Sequence, residues 1–381
     1  MRQRAPRYLF KAFEEDLHEK MVFIGGARQV GKTTFALDHL KPSTLENPAY
    51  LNYDNAATRS SIIRGELPPK QKLVVIDEVR KYARWRNLVK GFYDTYRGSI
   101  SFLITGSARL DYYRRGGDSL QGRYHYFRLH PFSPREINNN PDRGDVEHLL
   151  QFGGFPEPCI KADVRSWRRW QLERISRVVY DDIRDLGNVR EISLMELLVE
   201  ELPNRVGSSL SVRNLCSTLQ VAHDTAERWI SILERVYLCF RIPPYGAPRI
   251  RAVKKEQKLY LVDWSRVPSP GERFENLVAC QLLKFCHYVE DRDGFRMELR
   301  YVRDTDKREI DFVVLKEKEP IFAVECKTGE HSVSPSIRYF RERTPIPRFY
   351  QIHLGTKDWG DAEKHVRVLP FHTFCIELEM P

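Results

Sequence analysis

Eight residues near the start of the chain, Gly26-Ala27-Arg28-Gln29-Val30-Gly31-Lys32-Thr33, follow the spacing G-x-x-x-x-G-K-[ST]. Glycine at both ends lets backbone N–H groups close around an anion where a side chain would stand in the way. The lysine reaches terminal phosphate oxygens, and the hydroxyl that follows it is a ligand for a hard divalent cation. The expected chemistry is binding of ATP as its Mg2+ complex by residues 26–33 together with Thr34, with Thr33 on the metal. A second pair, Asp77 and Glu78, closes the apolar run Leu73–Ile76. Asp77 is expected to hold Mg2+, directly or through water. Glu78 is expected to polarise the attacking water, which makes the site hydrolytic rather than a nucleotide-binding switch. A third run, Ser101–Thr105, leads into Gly106 and Ser107, and a hydroxyl of Thr105 or Ser107 is expected to sense the γ-phosphate or orient the water. Arg123, just ahead of the strand-like run Tyr124–Leu129, is a candidate arginine finger acting on a neighbouring copy, a surface arginine being the plain alternative.

A separate constellation lies in the last third. Glu275 falls in a helical segment, Asp311 in the strand-like stretch Glu309–Val313, and Glu325 and Lys327 in Ala323–Lys327. Side chains two apart on a strand share a face. Glu275, Asp311 and Glu325 are therefore candidate ligands of a divalent metal that lowers the pKa of bound water, with Lys327 positioning that water or stabilising a pentavalent phosphate. Phosphodiester cleavage is the chemistry this would serve. Polar residues alternating on a half-buried strand are the plain alternative.

These residues need particular elements to hold them. Met21–Gly25, Lys72–Ile76 and Ser101–Thr105 are continuous apolar runs separated by helical patterns such as Lys32–Leu40 and Trp85–Arg97. That pattern predicts a parallel sheet covered on both faces, so residues 1–135 are expected to be an α/β domain with its site at the carboxyl edge of the strands. The stretch Asn138–Asp145 reads as a loop, and Val164–Leu186 as an amphipathic helix whose polar side carries arginines 165, 168, 169, 174 and 177. Residues 136–190 are thus expected to be a helical lid or linker. In residues 191–265, helices at Leu194–Leu202, Ser211–Leu219 and Asp224–Val236 precede strands at Tyr237–Ile242 and Lys258–Val262, a winged-helix pattern. Its basic loop Arg249–Lys258, with His223, Thr225, Arg228 and Ser231 on the second motif helix, is expected to contact either DNA or a protein partner; Asp224 and Glu227 at the same end oppose phosphate binding. Residues 266–381 read as α/β or α+β, opening with a helix at Arg273–Phe285.

The chain has 381 residues, 41% hydrophobic and 30% charged, which excludes a disordered or membrane-spanning composition. Lysine and arginine number 62 against 52 acidic residues, a net charge of +10 that suits a polyanionic partner or a solvated basic surface. Seven scattered cysteines form no zinc spacing and suggest reduced thiols. The first residues lack a secretory apolar core, and a cytoplasmic location without membrane contact is expected.

The motifs GARQVGKTT at 26–34, YLNYDN at 50–55, VVIDEV at 74–79 and LITGSA at 103–108 resemble those of prokaryotic AAA-type P-loop ATPases with a C-terminal PD-(D/E)xK (restriction-endonuclease-like) domain. SLQGRYHYFRLHPFSPRE at 119–136, GGFPEP at 153–158, FENLVA at 274–279, EIDFVV at 309–314 and VECKTG at 324–329 extend the likeness over nearly the whole chain. The resemblance implies nucleotide roles for Lys32, Thr33, Asp77 and Glu78 and favours Arg123 as a finger, hence a homo-oligomer. It implies a nuclease-like fold for residues 266–381, either cleaving DNA or serving as an inactive scaffold in an ATP-dependent switch. Arg80 stands where these relatives commonly carry glutamine, and Cys326 where an aliphatic residue is usual. A small-molecule kinase is the weakest alternative, because no acceptor-substrate domain is evident.

Overall fold

In the computed structural model, residues 7–106, 120–183, 191–246, 256–361 and 366–381 are described. The chain divides into two compact units, one of Pro6–His130 with Arg235–Tyr237, the other of Pro131–Glu234 and Leu238–Pro381. The boundaries expected near residues 190 and 265 both fall inside the second unit.

The first unit is built on a five-stranded sheet of order β2-β3-β4-β1-β5. Its strands are β1 (Met21–Gly26), β2 (Tyr50–Asn52), β3 (Leu73–Asp77), β4 (Ser101–Thr105) and β5 (Tyr124–Leu129). Every pairing is parallel. Helices α1 (Phe10–Leu17), α2 (Lys32–Asp38), α3 (Ala56–Arg64) and α4 (Trp85–Tyr96) accompany it. All six residues of β1 are buried, as a strand covered on both faces requires. Phe23, Val74, Ile76, Trp85, Phe92, Phe102 and Ile104 form a continuous core. Each such side chain contributes about 1.5–3 kcal/mol when fully buried. The order places β4 between β1 and β3, so Thr105 has Ile24 on one side and Asp77 on the other.

The second unit starts with α5 (Pro134–Ile137), α6 (Arg143–Phe152), α7 (Pro156–Lys161) and α8 (Val164–Arg177). The loop expected at Asn138–Asp145 is cut short by α6, because Asp142 and Asp145 accept each other's backbone N–H, both at 3.0 Å, in a capping box. The expected helix Val164–Leu186 ends as an α-helix at Arg177 and widens into a π turn over Val178–Ile183. Arg174, expected on its polar side, is instead 1% exposed. Its guanidinium lies 4.1 Å from the Phe155 ring centre and 3.9 Å from Asp263, and cation–π attraction with a buried carboxylate offsets its desolvation.

Helices α9 (Ile192–Glu201), α10 (Val212–Leu219) and α11 (His223–Arg235) precede the antiparallel pair β6 (Cys239–Ile242) and β7 (Lys258–Leu261). Leu215, Leu219, Ala226, Trp229, Ile230 and Leu233 are buried, the inward face expected of the helix pair. A long helix, α12 (Pro270–Asp293), follows; Pro270 in its first turn pre-sets the helical φ, and Gly294 ends it at φ 75°.

The remainder forms a six-stranded mixed sheet of order β12-β13-β11-β10-β9-β8. It comprises β8 (Met297–Arg303), β9 (Glu309–Lys316), β10 (Glu319–Lys327), β11 (Phe349–His353), β12 (Trp359–Asp361) and β13 (Val366–Pro370), with α13 (Pro335–Arg343) and α14 (Phe371–Glu377). Sequence periodicity did not reveal β12, β13 or α14. No helix among the described residues is long and apolar enough to cross a membrane.

Candidate functional site

Two clusters of chemistry-bearing residues emerge, one in each unit. In the first unit the loop between β1 and α2 arches over the carboxyl edge of the sheet. Gly26 has φ 147°, and a Cβ there would stand 2.3 Å from the Leu129 carbonyl oxygen. Gly31 has φ 96° and hands the chain directly to α2. These two positions admit only glycine without strain. Ala27 and Val30 are buried, Arg28 and Gln29 half-buried, and Thr34 exposed. The buried Lys32 ammonium donates to the carbonyls of Gly26 at 3.0 Å and Ala27 at 2.8 Å. Those carbonyls satisfy a charge that would otherwise be costly to bury.

Asp77 ends β3 and is 4% exposed. Its Oδ2 accepts from the Thr33 hydroxyl at 2.9 Å and the Tyr50 hydroxyl at 2.8 Å, and its Oδ1 accepts from the Thr105 hydroxyl. The adjacent Thr33 hydroxyl and Asp77 carboxylate are all-oxygen, hard donors, and they fit Mg2+ at the mouth of the phosphate loop. Tyr50 belongs to this set and was missed as a site residue, although YLNYDN places a phenol on the strand next to β3. Burial, then the charge of Asp77, raises its phenol above the usual tyrosine pKa and keeps it a donor. Of the two hydroxyls left open in the sequence, Thr105 reaches Asp77, and Ser107 lies outside the described residues.

Glu78 follows with φ 56°, a left-handed conformation unusual for a carboxylate side chain. Arg80 Nε lies 3.4 Å from Glu78 Oε2, and that buried oxygen accepts no hydrogen bond from the described residues. Arg123 sits at the opposite edge of the sheet, since Tyr124 pairs with Met21 and Leu129 with Gly26. Five residues of strand separate it from the phosphate loop, roughly 17 Å at the usual rise. Its Nε pairs with Asp94 Oδ1 at 2.9 Å. It is too far away to serve its own loop.

In the second unit, Asn276 of α12 clamps β7: its Oδ1 accepts from Leu261 N at 2.9 Å, and its Nδ2 donates to Leu261 O at 2.7 Å. That clamp brings Lys258 and Tyr260, two apart on β7, beside Glu275. The Tyr260 hydroxyl donates to Glu275 Oε1 at 2.6 Å. Lys258 Nζ lies 3.2 Å from Glu275 Oε1, 2.5 Å from Glu309 Oε1 and 3.8 Å from Asp311 Oδ1. Asp311 Oδ2 accepts from Cys326 N at 2.8 Å, which ties it to β10, where Lys327 donates to Glu325 Oε1 at 2.7 Å.

Glu275, Asp311, Glu325 and Lys327 are thus gathered as the sequence suggested, but the cation among the carboxylates is an ammonium. Among the described residues, no three His, Cys, Asp or Glu side chains are grouped to hold a metal ion. Lys258, expected on a basic loop facing nucleic acid, is buried at 1% exposure instead. Burial, then the charge of Asp311, pushes Glu275 up to about 7 and Glu325 up to about 8. Burial opposes the charge on Lys258, yet Glu275, Asp311 and Glu309 raise its pKa above the usual lysine value.

Comparison with known proteins divides the chain into three segments. Residues 143–267 match a domain of unknown function (DUF8612), and residues 270–374 another (DUF4143). The Methanocaldococcus jannaschii protein MJ1637 is 23% identical over 392 residues, covering 84% of this chain and 78% of its own. A second from that organism, MJ1544, is 20% identical over 391 residues, covering 92% and 86%. Among solved structures, a Thermotoga maritima RuvB variant is 14% identical with a TM-score of 0.32, covering 62% of this chain and 89% of its own. Residues 18–138, which hold the parallel sheet and the phosphate loop, match the family described as an AAA domain.

Proposed function

We propose that the chain is a Mg2+-dependent ATPase whose cycle governs contact of residues 191–265 with nucleic acid. One observation carries the ATPase reading: Thr33, Tyr50 and Thr105 converge on Asp77 beside the phosphate loop, with Glu78 next in the chain. Lys32, satisfied by loop carbonyls in this form, exchanges them for phosphate oxygens when ATP binds. Thr33 and Asp77 then hold Mg2+, which neutralises charge on the phosphates. Glu78 accepts a proton from the attacking water, and Arg123 of a second copy serves the same site in trans.

The test compares wild type with Lys32→Ala and Glu78→Gln, measuring phosphate release and binding of a fluorescent ATP analogue. Glu78→Gln is expected to bind nucleotide and lose turnover by about 100-fold or more, the usual scale for removing a general base. Lys32→Ala is expected to lose binding. Turnover by Glu78→Gln equal to wild type sinks the assignment.

Support for nucleic-acid contact comes from α11. Arg228 is exposed on it, and Arg241 of β6 neutralises Glu227 at 2.7 Å and Glu234 at 3.0 Å. The basic stretch at 249–255 lies outside the described residues. A DNA mobility shift that weakens steeply with salt is expected. A second reading is favoured by the ammonium of Lys258 within the carboxylates: residues 266–381 act as a scaffold that does not cleave, in a switch that binds protein partners.

A further inference from the structure

The four carboxylates of Glu275, Glu309, Asp311 and Glu325 come from one helix and two strands, and their convergence demands a compensating cation. Pairs two residues apart build the cluster: Lys258 and Tyr260 on β7, Glu309 and Asp311 on β9, Glu325 and Lys327 on β10. Lys258 Nζ touches Glu275 and Glu309 and stands 3.8 Å from Asp311. It also lies 5.5 Å from the centre of the Tyr301 ring. Lys327 is committed to Glu325 Oε1, and Arg303 Nε reaches Glu309 Oε2 at 3.7 Å. Glu325 is 6% exposed, and its Oε2 is buried with no hydrogen-bond partner among the described residues. A buried carboxylate oxygen without a donor favours a nearby cation, and among the described residues Lys258 and Lys327 are the ammoniums set among these acids.

We propose that the acidic cluster is a cation site whose resident occupant is the Lys258 ammonium, and that Lys258 and a divalent metal ion exclude one another there. Three half-buried carboxylates set around an ammonium cannot also close to the 2.0–2.6 Å that a Mg2+-, Ca2+- or Mn2+-like ion requires. Removing the ammonium, and keeping the acids, lets carboxylates that are not grouped for a metal in this arrangement close into a divalent-ion site. This deepens the scaffold reading of residues 266–381. It stands apart from the ATPase reading, because its test uses no nucleotide.

The experiment measures Mn2+ uptake by the nucleotide-free full-length chain, from the loss of the free-ion electron paramagnetic resonance signal. The chains are wild type, Asp311→Asn, Lys258→Met, Lys258→Arg and the double variant Lys258→Met/Asp311→Asn. Lys258→Met is expected to take up one ion more than wild type, and the double variant to lose it. Wild type and Asp311→Asn are expected to be equal, and Lys258→Arg, which keeps the charge, to match wild type. An Asp311-dependent ion in wild type or in Lys258→Arg overturns the proposal, as does a folded Lys258→Met that gains none. Should Lys258→Met not fold, Lys258→Gln takes its place: one Asp311-dependent ion more than wild type upholds the proposal, and a folded Lys258→Gln that gains none overturns it.

Discussion

Tyr50→Phe deletes one oxygen from the AAA-type domain and nothing else. In the native chain that hydroxyl donates to the 4%-exposed Asp77 carboxylate at 2.8 Å and accepts from Asn52 Nδ2 at 3.3 Å. A hydrogen bond to a charged acceptor is worth about 1.5–3 kcal/mol, so the loss is a ~10- to 150-fold change in an opening equilibrium. Asp77 keeps two donors, Thr33 and Thr105, which places the cost toward the lower half of that range. Amide hydrogen exchange along β3 is the direct assay, because Leu51 pairs with Ile76, and β2 and β3 share the ladder that Tyr50 braces. Exchange at Val75 and Ile76 is expected to quicken at least tenfold, with α4 unaffected. Turnover is expected to fall because Thr33 and Asp77 no longer hold their relative positions before Mg2+ arrives. Unchanged exchange across β2 and β3 refutes the inference that the phenol supports Asp77.

Two further outcomes are expected. His39 is packed against Phe10, Phe13 and Phe35, with ring centres 4.2–4.8 Å away, and burial lowers its pKa to about 4. The folded state then binds fewer protons than the unfolded state between about pH 6.5 and 4, so its stability falls as pH drops through that window. Thermal melting of wild type against His39→Phe should show that this part of the pH dependence disappears in the variant. Arg241→Ala strips Glu227 and Glu234 of their shared guanidinium, 14% exposed, and should destabilise the hairpin and α11 by about 1–3 kcal/mol in urea unfolding. Released Glu227 should also weaken DNA binding, and a mobility shift unchanged from wild type counts against α11 as the contact.

Local chemistry in the amino-acid order determines the phosphate loop. Gly26, Gly31, Lys32 and Thr33 lie within one short stretch of sequence, and their backbone and side-chain roles follow from spacing between an apolar strand and a helix. The parallel sheet is legible for a similar reason, since β1, β3 and β4 are uninterrupted apolar runs buried on both sides. Tyr50 is a different case: a phenol on a three-residue strand acquires meaning only when β2 pairs with β3 and sets it against Asp77. Likewise Arg174 reads as one arginine among five on a helix until Phe155, Trp170 and Asp263 enclose it. Lys258 shows the limit most clearly. In sequence it belongs to a basic stretch next to a glutamate and a glutamine. Asn276 clamps β7 to α12 across 15 residues of chain, and only that tertiary contact turns the ammonium away from solvent and into the carboxylates. Periodicity reports which face of a strand a residue occupies, and long-range packing decides what that face meets.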